Sequence, residues 1–192
     1  MNTREEYEKF VNNTFRPVTD TSTYEDRIGQ PEELPAVIGL ISMKFSYLED
    51  TLSNTIIKML QLDDDRGHII TAELSFRVKV NVFASLYQKL KANFFFNAFP
   101  DFEEEYFKEL VIALNKCEEM RNQVLHSSFT QSYLDKTKII RTKVTAKQKS
   151  GLRKAKEETN IVNLFNIADF IGQVEFELDE FGINIMGEKN SH

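Results

Sequence analysis

Glu118-Glu119-Met120-Arg121-Asn122-Gln123-Val124-Leu125-His126-Ser127-Ser128 closes a segment with strong helical periodicity. Working back from it, Phe107, Leu110, Val111, Leu114, Cys117, Val124 and Leu125 recur at spacings of three and four, which places them on one helix face. At about 100° per residue, Arg121 falls near the middle of that apolar stripe, where a leucine is expected. A charge at that address has to be paired, face a cleft or meet a partner surface, because an uncompensated buried charge is costly. Glu118 stands one turn earlier and is an obvious partner. Asn122 and His126 share a face at the i, i+4 spacing. A histidine at a helix end also suits the helix dipole without any further role.

Arg121-Asn122 followed by three residues and His126 resembles the R-x4-6-H signature of HEPN domains (higher eukaryotes and prokaryotes nucleotide-binding), in which a polar residue follows the arginine. The resemblance covers roughly residues 34–183 as an architecture, and Arg121, Asn122 and His126 as residues. It implies a mainly α fold: a HEPN-like helical bundle of about four to five helices. Catalytic members of that family are metal-independent ribonucleases, common as toxins and antiviral effectors, that work as dimers with both motifs facing one cleft. One subgroup carries a Tyr two residues after the His; Ser128 stands there in this chain.

The chemistry follows from the residue types. An imidazole titrates close to neutral pH, so His126 is the candidate proton carrier. Arg121 is the candidate phosphate holder and stabiliser of developing charge. Asn122 would orient the phosphate or ribose, and Glu118 would fix Arg121. One such histidine per chain makes a poor acid and base at once, so a second is expected from a symmetric partner. No Cys or His pair has ligand spacing, and Asp63-Asp64-Asp65 lacks the EF-hand pattern, so neither a metal nor another cofactor is expected. A phosphate-binding Gly-rich loop and a nucleophile elbow are also missing.

With 192 residues, 41% of them hydrophobic and 28% charged, the chain is long enough for a core that needs no staples. Sixteen Phe and no Trp make that core phenylalanine-rich, while seven Gly and four Pro favour helices over a turn-rich β fold. The lone Cys117 lies on the apolar stripe and excludes an internal disulfide, which fits a cytoplasmic protein. Neither a signal peptide nor a membrane span is legible.

Taken in order, residues 1–30 read as a short helix to about Thr14 and an irregular connector, 31–186 as the helical domain, and 187–192 as a polar tail. Pro31-Glu32-Glu33-Leu34-Pro35 starts a helix of about 28 residues, in which Leu34, Ile38, Ile41, Phe45, Leu48, Leu52, Thr55, Met59 and Leu62 recur at steps of three and four. Such a stripe belongs to a core, or to a core and a dimer seam together. Asp63–Gly67 reads as a turn and residues 69–95 as a second long helix, with Leu74, Val78, Val82, Phe83, Leu86 and Leu90 inward. The aromatic run from Phe94 to Phe99 reads as a plug under the bundle, and Phe102-Glu103-Glu104-Glu105 opens the motif helix. Glu157-Glu158-Thr159-Asn160 caps a last helix that reaches about Phe181, with Ile161, Leu164, Phe165, Ala168, Ile171 and Leu178 inward.

Between the motif helix and the last helix the period changes to two. Residues 128–134 and 137–145 predict a short basic β-hairpin, within an arm of about 128–157. Net charge is −6, yet Lys136–Lys156 holds nine basic residues and no acidic one, so the remainder carries −15 (−6 less 9). Lys138, Arg141, Lys143 and Lys147 are therefore the candidate RNA contacts. The expected partners are RNA (tRNA or mRNA), a second copy of the chain, and an antitoxin or nucleotidyltransferase-type protein. A non-catalytic nucleic-acid or nucleotide-sensing module, and a helical interaction protein in which Arg121 only holds a dimer, remain alternative classes. Burial separates them: both residues sealed in a core would leave only the last.

Overall fold

A computed structural model describes residues 33–91, 102–131, 135, 138–147 and 151–187. The expected N-terminal helix and connector, Pro31 and Glu32 of the helix start, the aromatic plug at 94–99 and the tail from 188 lie outside them. Among the described residues there are five helices: α1 (Glu33–Leu60), α2 (Asp64–Ala72), α3 (Phe76–Lys91), α4 (Phe102–Leu125) and α5 (Ile161–Gly187). Three strands stand between α4 and α5: β1 (Ser128–Gln131), β2 (Ile139–Lys147) and β3 (Gly151–Thr159). The protein is mainly α with a small antiparallel sheet of order β1-β2-β3. None of the described helices is long and apolar enough to cross a membrane.

The chain divides into two compact units. One holds the described residues up to Lys44 with Glu119–Ile171, and the other holds Phe45–Glu118 with those from Gly172 onward. The second unit is built on aromatics. Phe83 is fully buried and its ring centroid lies 5.3 Å from Phe107 and 5.6 Å from Phe181. Tyr87 stacks on Phe107 at 3.7 Å, and Phe45 meets Phe76 at 4.6 Å. Rings of this size bury much area per residue, so a few of them supply most of the unit's apolar contact. Thr51 Oγ1 donates to Glu175 Oε1 at 3.0 Å, tying α1 to α5 here.

The 28 residues of α1 match the expected length, and its stripe from Ile41 through Phe45, Leu48, Leu52 and Thr55 to Met59 is buried inside the chain. The helix ends as a Schellman motif: Leu62 N donates to Ile57 O, Gln61 N to Lys58 O, and Gln61 takes a positive φ of 56°.

The expected turn at Asp63 and long helix from 69 to 95 are corrected. Asp63 is an N-cap whose side chain accepts from Arg66 N at 3.0 Å, and the acidic Asp64 and Asp65 follow in the first turn of α2. The chain then leaves the helix at Glu73–Ser75 before α3 begins. That break resets the helical phase. Val78 is consequently exposed, while Phe76, Val80, Phe83 and Tyr87 are buried together with Lys79. Lys79 is tolerated inside because its Nζ lies 2.8 Å from Glu49 Oε1.

In the first unit, buried Val37, Ile41, Val124, Ile139, Ile161, Leu164, Phe165, Ala168 and Ile171 form the core. Here the expected hairpin gains a third strand. Glu157, Glu158 and Thr159 lie in β3 and do not cap the last helix; Asn160 alone does so, its Oδ1 accepting from Asn163 N at 2.8 Å. They were drawn into the sheet because Glu157 falls directly opposite Arg141, and Glu158 opposite Ile140 with Lys138 beside it.

Candidate functional site

The site stands at the C-terminal end of α4. Cys117 and Val124 are buried on the stripe, and Arg121 between them is half-buried with its Nε inside. Burial holds the Cys117 thiol well above its usual range, which marks it as a packing residue and not a nucleophile. Arg121 Nη1 donates to Asn122 Oδ1 at 2.9 Å, so the two adjacent polar residues of the motif are joined through their side chains. His126 N closes the helix by donating to Asn122 O at 3.2 Å, and the imidazole is exposed just beyond the last helical residue. Neither Arg121 nor His126 is sealed in the core. Glu118 is half-buried and is grouped with the second unit.

The residue between them that the motif does not mention organises the surroundings. Gln123 Nε2 donates to Glu119 Oε1 at 2.9 Å, and Gln123 Oε1 accepts from Arg141 Nη1 at 3.3 Å. Arg141 Nη2 also pairs with the Glu157 carboxylate across the sheet. A chain of polar contacts thus runs from α4 through β2 to β3 and locks the motif end of the helix to the sheet. Gln123 and Glu157 carry no sequence signal of this role, because only the strand register brings Glu157 opposite Arg141.

The candidate RNA contacts fare differently from one another. Arg141 is inward, its side chain 16% exposed, and it is a buttress of the site. The Lys138 Nζ lies 3.2 Å from Glu158 Oε1, so its charge is matched. Lys143 is half-buried opposite exposed Ala155, and Lys147 closes β2. The basic side of β2 is therefore largely its packed side, shared with fully buried Ile139, while Ile140 and Val144 look outward at 39% and 50% exposure. On β3, Arg153, Lys154 and Lys156 are all exposed.

Elsewhere in the first unit, Asp169 on α5 is partly buried, which raises its carboxyl pKa against the opposing effect of Lys44. Among the described residues no group of three or more His, Cys, Asp or Glu side chains is arranged to hold a metal ion. No family model matches the chain, and no curated protein or solved structure is significantly similar to it.

Proposed function

We propose that the chain is a metal-independent endoribonuclease of HEPN type, acting as a homodimer in the cytoplasm as a toxin or antiviral effector. The observation that carries this reading is the exposed His126 one residue past the helix on which Arg121 and Asn122 are joined, within the same unit as the basic sheet.

The reaction is transesterification within RNA. The ribose 2′-oxygen loses its proton to an imidazole and bonds to the adjacent phosphorus. The bond from phosphorus to the 5′-oxygen breaks, and that oxygen takes a proton from an acid. The products are a 2′,3′-cyclic phosphate and a free 5′-hydroxyl. Arg121 holds the phosphate oxygens as charge accumulates on them, and Asn122 keeps the guanidinium in place. His126 serves as one of the two proton carriers, and the His126 of a second copy as the other.

The test is incubation of purified protein with tRNA and mRNA in EDTA, beside His126→Ala. Cleavage with cyclic-phosphate ends, lost in the variant, is expected; cleavage that survives the substitution or requires a divalent ion rules the reading out. A monomeric mass by light scattering at micromolar concentration would remove the shared-site mechanism. The Arg121–Asn122 contact also suits a second reading, since it holds the arginine half-buried in a ground-state pairing. In that case the protein is a sensing or pairing module, and RNA binds without being cut.

A further inference from the structure

We propose that the outward face of the three-stranded sheet carries the RNA strand away from His126, with Lys154 and Lys156 taking its phosphates and Ile140 and Val144 lying against its riboses. This rests on the ribonuclease reading of Arg121 and His126, and it places the strand on the face opposite to Arg141.

The register builds the surface. Directly paired residues of antiparallel strands point to the same side. Ser128 pairs with Thr142 and Thr142 with Lys156, so these three form one row across the sheet. Neighbouring strands lie about 4.8 Å apart, which makes the row roughly 10 Å long. It begins two residues after His126 and ends on a lysine. One step along the hairpin, Val144 pairs with Lys154. Lys154 and Lys156 are two residues apart on one side of a strand, or about 6.8 Å, a spacing that successive phosphates of an extended chain can meet.

On the other face Arg141 is matched to Glu157; on this face Lys138 is matched to Glu158, which lies opposite Ile140, while no ion pair among the described residues involves the exposed Lys154 or Lys156. Ile140 and Val144, on the middle strand, are exposed although Ile139 beside them is fully buried. Aliphatic side chains flanked by the exposed Lys154 and Lys156 and the Thr142 hydroxyl, with Glu158 at the edge neutralised by Lys138, suit a ligand that is itself alternately apolar and anionic. The chain outside Lys136–Lys156 carries −15, so a polyanion is drawn toward the basic segment to which Lys154 and Lys156 belong. Lysines on an edge strand also discourage pairing with another sheet, a role that has no salt-dependent ligand.

The experiment titrates fluorescein-labelled single-stranded polyuridylate into the His126→Ala protein at several salt concentrations. It compares that protein with H126A/K154Q/K156Q and H126A/K154R/K156R, after circular dichroism has shown that all three fold alike. The double glutamine variant is expected to bind about tenfold more weakly at low salt, with the log–log salt slope reduced by about 1.4, two contacts at ~0.7 each. The arginine pair should restore both. Unchanged affinity and slope overturn the proposal, and if the wild type still cuts RNA the ribonuclease reading stands without it. If the wild type cuts nothing and His126→Ala binds no RNA, both fall. Polyglutamate that competes as well as RNA through the same lysines would assign the surface to an acidic polypeptide and overturn the RNA assignment.

Discussion

Arg141 on the middle strand donates to Gln123 on the last turn of α4 at 3.3 Å, and through its other terminal nitrogen it reaches Glu157 on β3. The residue that the charge pattern offers as an RNA contact is in this way a structural tie between the motif helix and the sheet. Arg141→Ala is expected to lower stability by about 1–2 kcal/mol, the range for a hydrogen-bonded charge that water partly screens. Lys143→Ala, which removes no hydrogen bond or ion pair among the described residues, should stay within about 0.5 kcal/mol of the parent. Urea unfolding of the two variants is the measurement; equal effects would show that the tie contributes nothing.

Asn122 accepts from Arg121 and so sets where the guanidinium points. On the proposed ribonuclease reading, Asn122→Ala is expected to slow RNA cleavage about tenfold or more while leaving the affinity for RNA within a factor of about two, because it acts through orientation. Arg121→Ala should abolish cleavage altogether. Single-turnover kinetics separate the two effects from binding, and a purely affinity-based loss in Asn122→Ala would contradict the assigned role.

Gly67 lets α2 lie close to α1. A Cβ at this position would fall 2.5 Å from both Cγ1 and Cγ2 of Ile57, which is itself buried. The gain in helix propensity from Gly67→Ala is about 1 kcal/mol. Overpacking costs about 1–3 kcal/mol, so the substitution should destabilise on balance. Adding Ile57→Ala to it should recover part of the loss relative to Ile57→Ala alone plus Gly67→Ala alone. Additive thermal unfolding data would deny the contact.

Tyr106 donates to a carboxylate oxygen of Glu177, and burial, that bond and the nearby negative charge of Glu177 and Glu180 all raise its pKa. The sign is definite. The folded state keeps the phenolic proton at a pH where the unfolded chain, with an ordinary tyrosine pKa of about 10, has begun to lose it. Stability from this group is complete below about pH 10 and declines as pH rises above it. Tyr106→Phe should therefore be less stable at neutral pH and show a flatter decline above about pH 10. Parallel alkaline slopes in the two proteins would exclude this linkage.

Periodicity sufficed for whatever one helix decides by itself. The length of α1, the buried stripe from Ile41 to Met59, the burial of Cys117 and the Asn160 cap all follow from local spacing and side-chain chemistry, which act within a few residues. The Arg121-Asn122-x-x-x-His126 cluster was legible for the same reason, since one helix end presents all three. What the sequence left open was settled by partners distant along the chain. The phase of α3 changed at Glu73–Ser75, which exposed Val78 and buried Lys79 against Glu49, thirty residues away. Alternation in β2 defined two faces without saying which one packs, because a period of two is symmetric under exchange of the faces. Only the register with β3 placed Glu157 against Arg141, and only the packing of the β2 side that carries Ile139 and Arg141 left Ile140 and Val144 in contact with water.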